Sequence, residues 1–391
     1  MKEFKHILYF DSSSGLGGSG SVLYQFLNHL DKKRHRPFVV VYNEGPQIKK
    51  IASSGISVTK FNYTEITLRP GNWIVNYLKL LIHLVARVLP VALKAKQFLV
   101  SNEIDIVHIN TDIISGLPFI FAARSKKIRC VCHIRQTREL TRIEQIFSKF
   151  VDRFIVLNWE AVDVYKKYIS TSKIHMVYDG LDTESFINIK PLDIQEEFQF
   201  NGSGCVCVTG RIVKGKGHDD FVQAATKVKK NYPDVKFLIV GSDHQEGQPT
   251  LNSLKELVKS VGLENDVIFT GWRNDVKEIV KACDIFVHPT STFAEGLPSS
   301  IIEAMLLEKP VVATRIAGSS EIVEHNVTGL LVSKESPEEL ANAIWYLLKD
   351  KETARQFGLH GKERAEKLFN IEQNISNIQN IYTQLMQGNG K

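Results

Sequence analysis

The chain has 391 residues, too many for one ordinary hydrophobic core, so two domains are expected. A composition of 43% hydrophobic and 24% charged residues excludes a collagen-like, low-complexity or largely disordered protein. The net charge of +6 conceals an asymmetry, because residues 1–180 hold 26 Lys+Arg against 14 Asp+Glu while the remainder hold 23 against 29. The basic first half points to an anionic surface or substrate, and nothing in the pattern points to nucleic acid.

Met1–Lys5 leads directly into a predicted strand, HILYF, so no signal peptide is expected. The glycine loop DSSSGLGGSG follows. Gly15, Gly17 and Gly20 fit a dinucleotide fingerprint, and Glu44 lies at a suitable distance. Asp11–Ser14 separate that loop from its strand, so a glycine loop approaching a diphosphate fits equally well. Further strands are RPFVVVYN, IDIVHIN, IRCVCHI and RFIVLN, with helices between them. Polar residues with Pro191 and Gly202 then mark a linker over 182–203. A second series follows: GCVCVTG, KFLIVG, DVIFTG, DIFVHP, PVVAT and GLLV. Helices fill the chain from Pro337, and the last, near Ile371–Met386, is a candidate to pack back on the first domain. The expected architecture is α/β, with two Rossmann-like domains over 1–181 and 204–368 and a final helix in 369–391.

Residues 72–100 form an unusual helix candidate. Asn72, Asn76, Lys79, His83, Arg87 and Lys94 share a stripe of roughly 80°, and nearly everything else is apolar. The charges and Pro90 argue against a membrane span. Two readings remain: a helix covering its own sheet, or one lying on an anionic membrane surface. The five cysteines, Cys130, Cys132, Cys205, Cys207 and Cys283, read as small buried hydrophobes in a reduced cytoplasmic protein and not as metal ligands.

Two segments carry the chemistry. In VTGRIVKGKGH, Gly210, Gly215 and Gly217 allow close backbone approach, while Arg211 and Lys216 supply positive charge for phosphate. The sequence matches most of a Walker A loop, but Gly217 stands where that loop needs Ser or Thr. In FAEGLPSSIIEAM, Pro298 signals a helix start at Ser299, and Glu303 lies one turn in, placed to accept ribose hydroxyls. Glu295 precedes Gly296 and Leu297, whose amides can meet a sugar or phosphate. His133 ends a strand, where open α/β sheets bind ligands; His108 can be a simple core histidine. Arg135, Arg138 and Arg142 can contact an anionic acceptor or decorate a solvated helix.

Taken with KIHMVYDGLDTESF, FTGWRNDV and the run FAEGLPSSIIEAMLLEKPVVATRIAGSSEIVEHNVTGLLV, these motifs resemble the retaining glycosyltransferases of family 4 over almost the whole chain. The resemblance implies the GT-B fold, with two domains facing each other across a deep cleft. It implies that Arg211 and Lys216 bind the donor diphosphate, Glu303 the ribose, and Glu295 with Gly296–Ser299 the sugar. Gly17 and Gly18 would approach the diphosphate, His133 would lie near the reacting carbon, and Trp272 and Arg273 would seat the base. Tyr178-Asp179-Gly180 replaces the usual Pro-Asn-Gly, and Gly318-Ser319 the usual paired glycine.

The implied reaction moves a sugar from a nucleotide-diphosphate sugar, by default UDP-linked, to an acceptor hydroxyl. No metal or other cofactor is expected, since no Asp-x-Asp pair appears and the cations fill that role. The basic first domain favours a lipid-linked glycan acceptor at the inner face of the plasma membrane, in cell-surface polysaccharide or lipopolysaccharide synthesis. Alternatives are an epimerase or phosphorylase of the same fold, a non-catalytic nucleotide-binding protein, and an NAD-binding dehydrogenase.

Overall fold

The computed structural model describes residues 5–12, 18–64, 79, 81–199, 202, 204–291 and 295–387. These divide into two compact units, one of residues 1–181 with 371–391 and one of residues 182–370.

The first unit opens with β1 (Lys5–Asp11), α1 (Gly18–His29), β2 (His35–Val41), α2 (Pro46–Ser53) and β3 (Ser57–Lys60). A wide π turn over Leu84–Val88 then runs into α3 (Leu89–Ser101). It continues with β4 (Ile106–Ile109), α4 (Leu117–Ser125), β5 (Arg129–His133), α5 (Arg142–Phe147), β6 (Arg153–Val156), α6 (Trp159–Tyr165) and β7 (Ile174–Met176). The sheet is parallel, in the order β3-β2-β1-β4-β5-β6-β7. Helices cover both faces, so the strands are apolar along their whole length rather than alternating. Leu8, Phe10, Val40, Val107, Cys130, Cys132 and Phe154 enter one core with α3, α4 and α6. Ile7, Tyr9, Val39, Val41, Ile106, Val131 and Ile155 enter the other.

The second unit holds α7 (Ile194–Glu197), β8 (Gly204–Thr209), α8 (His218–Asn231), β9 (Val235–Val240), α9 (Pro249–Ser260) and β10 (Val267–Gly271). Next come α10 (Val276–Ala282), β11 (Ile285–His288), α11 (Ser299–Leu306), β12 (Val311–Thr314), α12 (Ala317–Ile322), β13 (Gly329–Val332), α13 (Pro337–Lys349) and α14 (Lys351–Leu368). Its parallel sheet runs β10-β9-β8-β11-β12-β13. Residues 182–199, expected as linker, belong to this unit: Leu192 N–H donates to Glu278 O, and Lys277 Nζ stacks 3.7 Å from the Phe186 ring. All five cysteines are buried and free.

The chain then returns to the first unit as α15 (Ile371–Gln387). Its residues Ile371, Ile375, Ile378, Ile381, Tyr382 and Leu385 recur at helical spacing and complete the core beside α1. Buried Asn374 donates from Nδ2 to Tyr178 O, fixing the helix lengthwise. The first core is therefore unfinished until the last helix arrives. Ile378→Ala should destabilise the first unit by about 2–5 kcal/mol, the usual cost of such a core truncation. A lowered urea midpoint measures it, and an unchanged midpoint would show that α15 contributes little to that core.

Candidate functional site

In each sheet the strand order reverses once, between β1 and β4 and between β8 and β11. Ligands of open parallel sheets bind outside the carboxyl ends of the strands at such a point. In the second unit two loops meet there. Gly217, in the left-handed region at φ +73°, caps α8, and a Cβ on it would stand 1.8 Å from Pro289 O. Ser291 N–H donates to Gly215 O at 2.9 Å. A third loop joins them, because a Cβ on Gly318, beside the start of α12, would stand 2.5 Å from Gly296 O. The glycine retained from the usual pair is the one that this approach requires.

This packing places Lys216 Nζ against Glu295 Oε1 as an ion pair. His288 Nε2 lies 2.7 Å from Glu295 Oε2 and 3.0 Å from Thr290 Oγ1, and Ser300 Oγ lies 3.4 Å from His288 Nδ1. Burial alone would raise the Glu295 carboxyl, but the His288 and Lys216 charges and hydrogen bonds outweigh it and hold it well below the usual carboxylate range. His218 begins α8 fully buried, with neither ring nitrogen hydrogen-bonded. Burial lowers its pKa to about 4, with the Lys216 and His288 charges adding to the effect.

Arg211 and Gly210 lie just beyond β8, Arg211 half-buried. Pro298 is the cap of α11 rather than its first residue, and Gly296 and Leu297 are buried ahead of it. Glu303 sits half-buried one turn into α11. Burial pushes its carboxyl up to about 7, partly offset by the Lys277 charge and a hydrogen bond with Ser299. Trp272 is exposed beyond β10. Arg273 is committed to Asp275 at 2.8 and 2.6 Å, to Glu197 at 2.7 Å, and over the Phe198 ring. Its side chain clamps its loop to α7.

In the first unit, Gly15 and Gly17 lie outside the described residues, and Gly18 begins α1, exposed. His133 ends β5, 1% exposed, with its Nε2 unbonded among the described residues. Arg135 donates to Asp179 and to Asn110, and Asn110 Nδ2 donates to Asp11 Oδ2 at 2.7 Å. Arg138 grips the buried Glu144 at 2.9 and 2.6 Å, and Glu144 closes the capping box of α5 with Thr141. Both guanidinium forks proposed for an anionic acceptor are thus occupied within the unit. His108 is also buried, its Nδ1 2.6 Å from Tyr382 Oη.

Of the 72–100 helix candidate, residues 79 and 81–100 are described, and they divide between a buried face and an exposed apolar one. Val88, Val91, Ala92, Ala95 and Leu99 are buried, whereas Ile82, Val85, Leu89, Leu93 and Val100 are each more than half exposed. His83, expected on the polar stripe, is half-buried and bonded to Tyr63 Oη at 2.9 Å. The π turn absorbs Pro90 at the start of α3. Among the described residues no helix is long and apolar enough to cross a membrane.

Two family models match this chain: "Glycosyl transferases group 1" over residues 190–364 and "Glycosyltransferase Family 4" over residues 16–185. This chain belongs to the group 1 glycosyltransferases. The glycosyltransferase is 27% identical over 305 residues to an uncharacterized glycosyltransferase of Methanocaldococcus jannaschii, covering 73% of this chain and 76% of that one. It is also 27% identical over 313 residues to the Escherichia coli UDP-Gal:alpha-D-GlcNAc-diphosphoundecaprenol alpha-1,3-galactosyltransferase, covering 74% of this chain and 78% of that one. Among solved structures it is similar to Anabaena HepE in complex with UDP, with a TM-score of 0.81 at 21% identity, covering 97% of this chain and all of that one. That likeness establishes the GT-B fold.

Several residues of this candidate site were not singled out from sequence. His288 ends β11 in DIFVHPT, so the strand-end rule that found His133 also reaches it. Lys277, whose charge acts on Glu303, carried no signal beyond its place on a helix after FTGWRND. Glu303 yields a stability test. Its folded pKa lies above the ordinary 4.5, so its contribution is present at acid pH and is lost as pH rises through about 7. Glu303→Gln should leave the melting temperature unchanged near pH 4 and raise it increasingly between pH 4.5 and about 7, with the difference levelling off above that. Parallel pH curves for the two proteins would show that Glu303 is not perturbed.

Proposed function

We propose that this glycosyltransferase moves a sugar from a UDP-linked donor to an acceptor hydroxyl with retention of anomeric configuration. The observation that carries this reading is the Lys216–Glu295 pair, locked between two strand-end loops at the point where strand order reverses. A fixed ammonium there meets a diphosphate, the adjacent carboxylate accepts sugar hydroxyls, and the N-terminus of α11 adds amide donors. Glu303, ionised above about pH 7, accepts the ribose hydroxyls. UDP in HepE and UDP-Gal in the name of the Escherichia coli relative support the choice of base.

In the reaction the bond from the anomeric carbon to the diphosphate oxygen breaks, and its electron pair stays on that oxygen. Arg211 and Lys216 stabilise the growing negative charge as preorganised cations, so the step needs no metal. The acceptor oxygen bonds to the anomeric carbon on the same face, and its proton passes to the departing phosphate. The products are the glycoside and UDP.

Isothermal titration with UDP, GDP, ADP and NAD, in EDTA, tests the reading. UDP should bind, and Lys216→Ala and Glu303→Ala should each weaken it about tenfold or more, roughly 1.4 kcal/mol. NAD binding indifferent to both substitutions would overturn the proposal.

The acceptor on this reading is a lipid-linked glycan at the inner face of the plasma membrane, as in cell-surface polysaccharide or lipopolysaccharide assembly. Its support is the diphosphoundecaprenol in the same relative's name, the basic first half, and the exposed apolar row Ile82, Val85, Leu89, Leu93 and Val100. Exposed Lys79, Arg87 and Lys94 on the same segment suit anionic headgroups. The full chain should sediment with phosphatidylglycerol vesicles, and the double variant Leu89→Asp, Leu93→Asp should not. Retained sedimentation of that variant would remove the helix from the proposal.

A further inference from the structure

His133 is buried, and its Nε2 has no hydrogen-bond partner among the described residues. Asp179 Oδ1 lies 3.9 Å from that nitrogen. Asp179 is itself buried and is gripped by Arg135, whose other contacts are the side chain and carbonyl of Asn110. Its backbone neighbour is fixed as well, since Asn374 of α15 holds Tyr178 O. The carboxylate therefore cannot swing away without breaking the Arg135 fork, and it is an acceptor only.

Burial, with the Arg135 charge and the His108 ring adding to it, holds His133 well below the ordinary histidine pKa. The ring is thus neutral and has one N–H to place. His108, edge-on with ring centres 5.6 Å apart, has its Nδ1 committed to Tyr382, and Tyr382 Oη in turn lies 3.4 Å from Tyr9 Oη. Asp11 lies one step further out, accepting from Asn110. Of these groups, only Asp179 stands within 4 Å of Nε2 as a charged partner. A separation of 3.9 Å is too long for a hydrogen bond, so the preference is electrostatic: an N–H dipole directed at a carboxylate is favoured, and a lone pair directed at it is not.

We propose that Asp179 is a positioning residue that fixes the tautomer of His133, keeping the proton on Nε2 and a lone pair on Nδ1. Nδ1 is then the acceptor that the ring offers to a sugar hydroxyl. An amide at position 179 carries no net charge, so the preference for an N–H at Nε2 is lost and Nδ1 can become the donor. The Asp in Tyr178-Asp179-Gly180 selects the polarity that His133 presents. The hydroxyl contact rests on the proposed donor reaction; the tautomer does not.

The test is multiple-bond 1H–15N spectroscopy of the full chain labelled with 15N-histidine, with His133 assigned by its loss in His133→Gln. The wild type should show His133 protonated on Nε2, and Asp179→Asn should move that proton wholly or partly to Nδ1. A wild-type proton on Nδ1, which needs no variant to detect, overturns the proposal, as does an Asp179→Asn spectrum identical to wild type. In turnover, Asp179→Asn should lower kcat about tenfold, roughly one hydrogen bond. UDP has no transferred sugar, so its affinity should not change. Unaltered kcat would overturn the contact with the sugar hydroxyl. Absence of any transfer by the wild type would count against the proposed reaction and leave the tautomer to be decided by the spectra.

Discussion

The second unit depends on a half-buried ion pair made possible by a missing side chain. Lys216 and Glu295 meet because Gly217 lets one strand-end loop run against the carbonyl of Pro289 in the other. A pair largely withdrawn from water is costly to desolvate and becomes tolerable when further hydrogen bonds complete it. His288 supplies one, and Thr290 and Ser300 steady the histidine in turn. Charge is therefore held ready beside the strand ends, with no need to assemble when an anion arrives. Gly318 packs the third loop onto Gly296 by the same device of close backbone approach.

The first unit solves a different problem. Its sheet is covered on one face by helices that follow in chain order, but the other face is finished only by α15, from the far end of the sequence. That helix brings more than apolar surface. Tyr382 reaches His108, and Asn374 holds the segment that carries Asp179. A polar chain from Asp11 through Asn110 and Arg135 to Asp179 then runs beside His133. Buried polar groups in such a chain specify one arrangement, because each unmet partner is expensive.

The segment around α3 shows why composition alone left two readings open. An amphipathic helix normally has one apolar face and one polar face. Here the apolar residues outnumber what one core contact can cover, so Val91, Ala95 and Leu99 go inward while Leu89, Leu93 and Val100 remain in the open.

Sequence by itself determined the parallel α/β class, since runs such as HILYF, IDIVHIN, GCVCVTG and KFLIVG are apolar throughout and are separated by helical lengths. It also singled out the two loops that the fold brings together in the second unit, because glycines, cations and carboxylates at strand ends are readable from spacing. The short strands β3 and β7 were not named beforehand; four and three residues carry little pattern. Arg138 was a candidate contact for an anionic acceptor and Arg273 part of a base seat, yet tertiary structure commits their side chains to Glu144 and to Asp275 with Glu197. Asp179 appeared only as a departure from a motif until the fold set it beside a histidine 46 positions earlier in the chain. Periodicity and turn chemistry are local and survive in the one-dimensional string. The partner that a charged or titratable side chain finds depends on which distant loops the sheet brings together, and only the folded chain decides that.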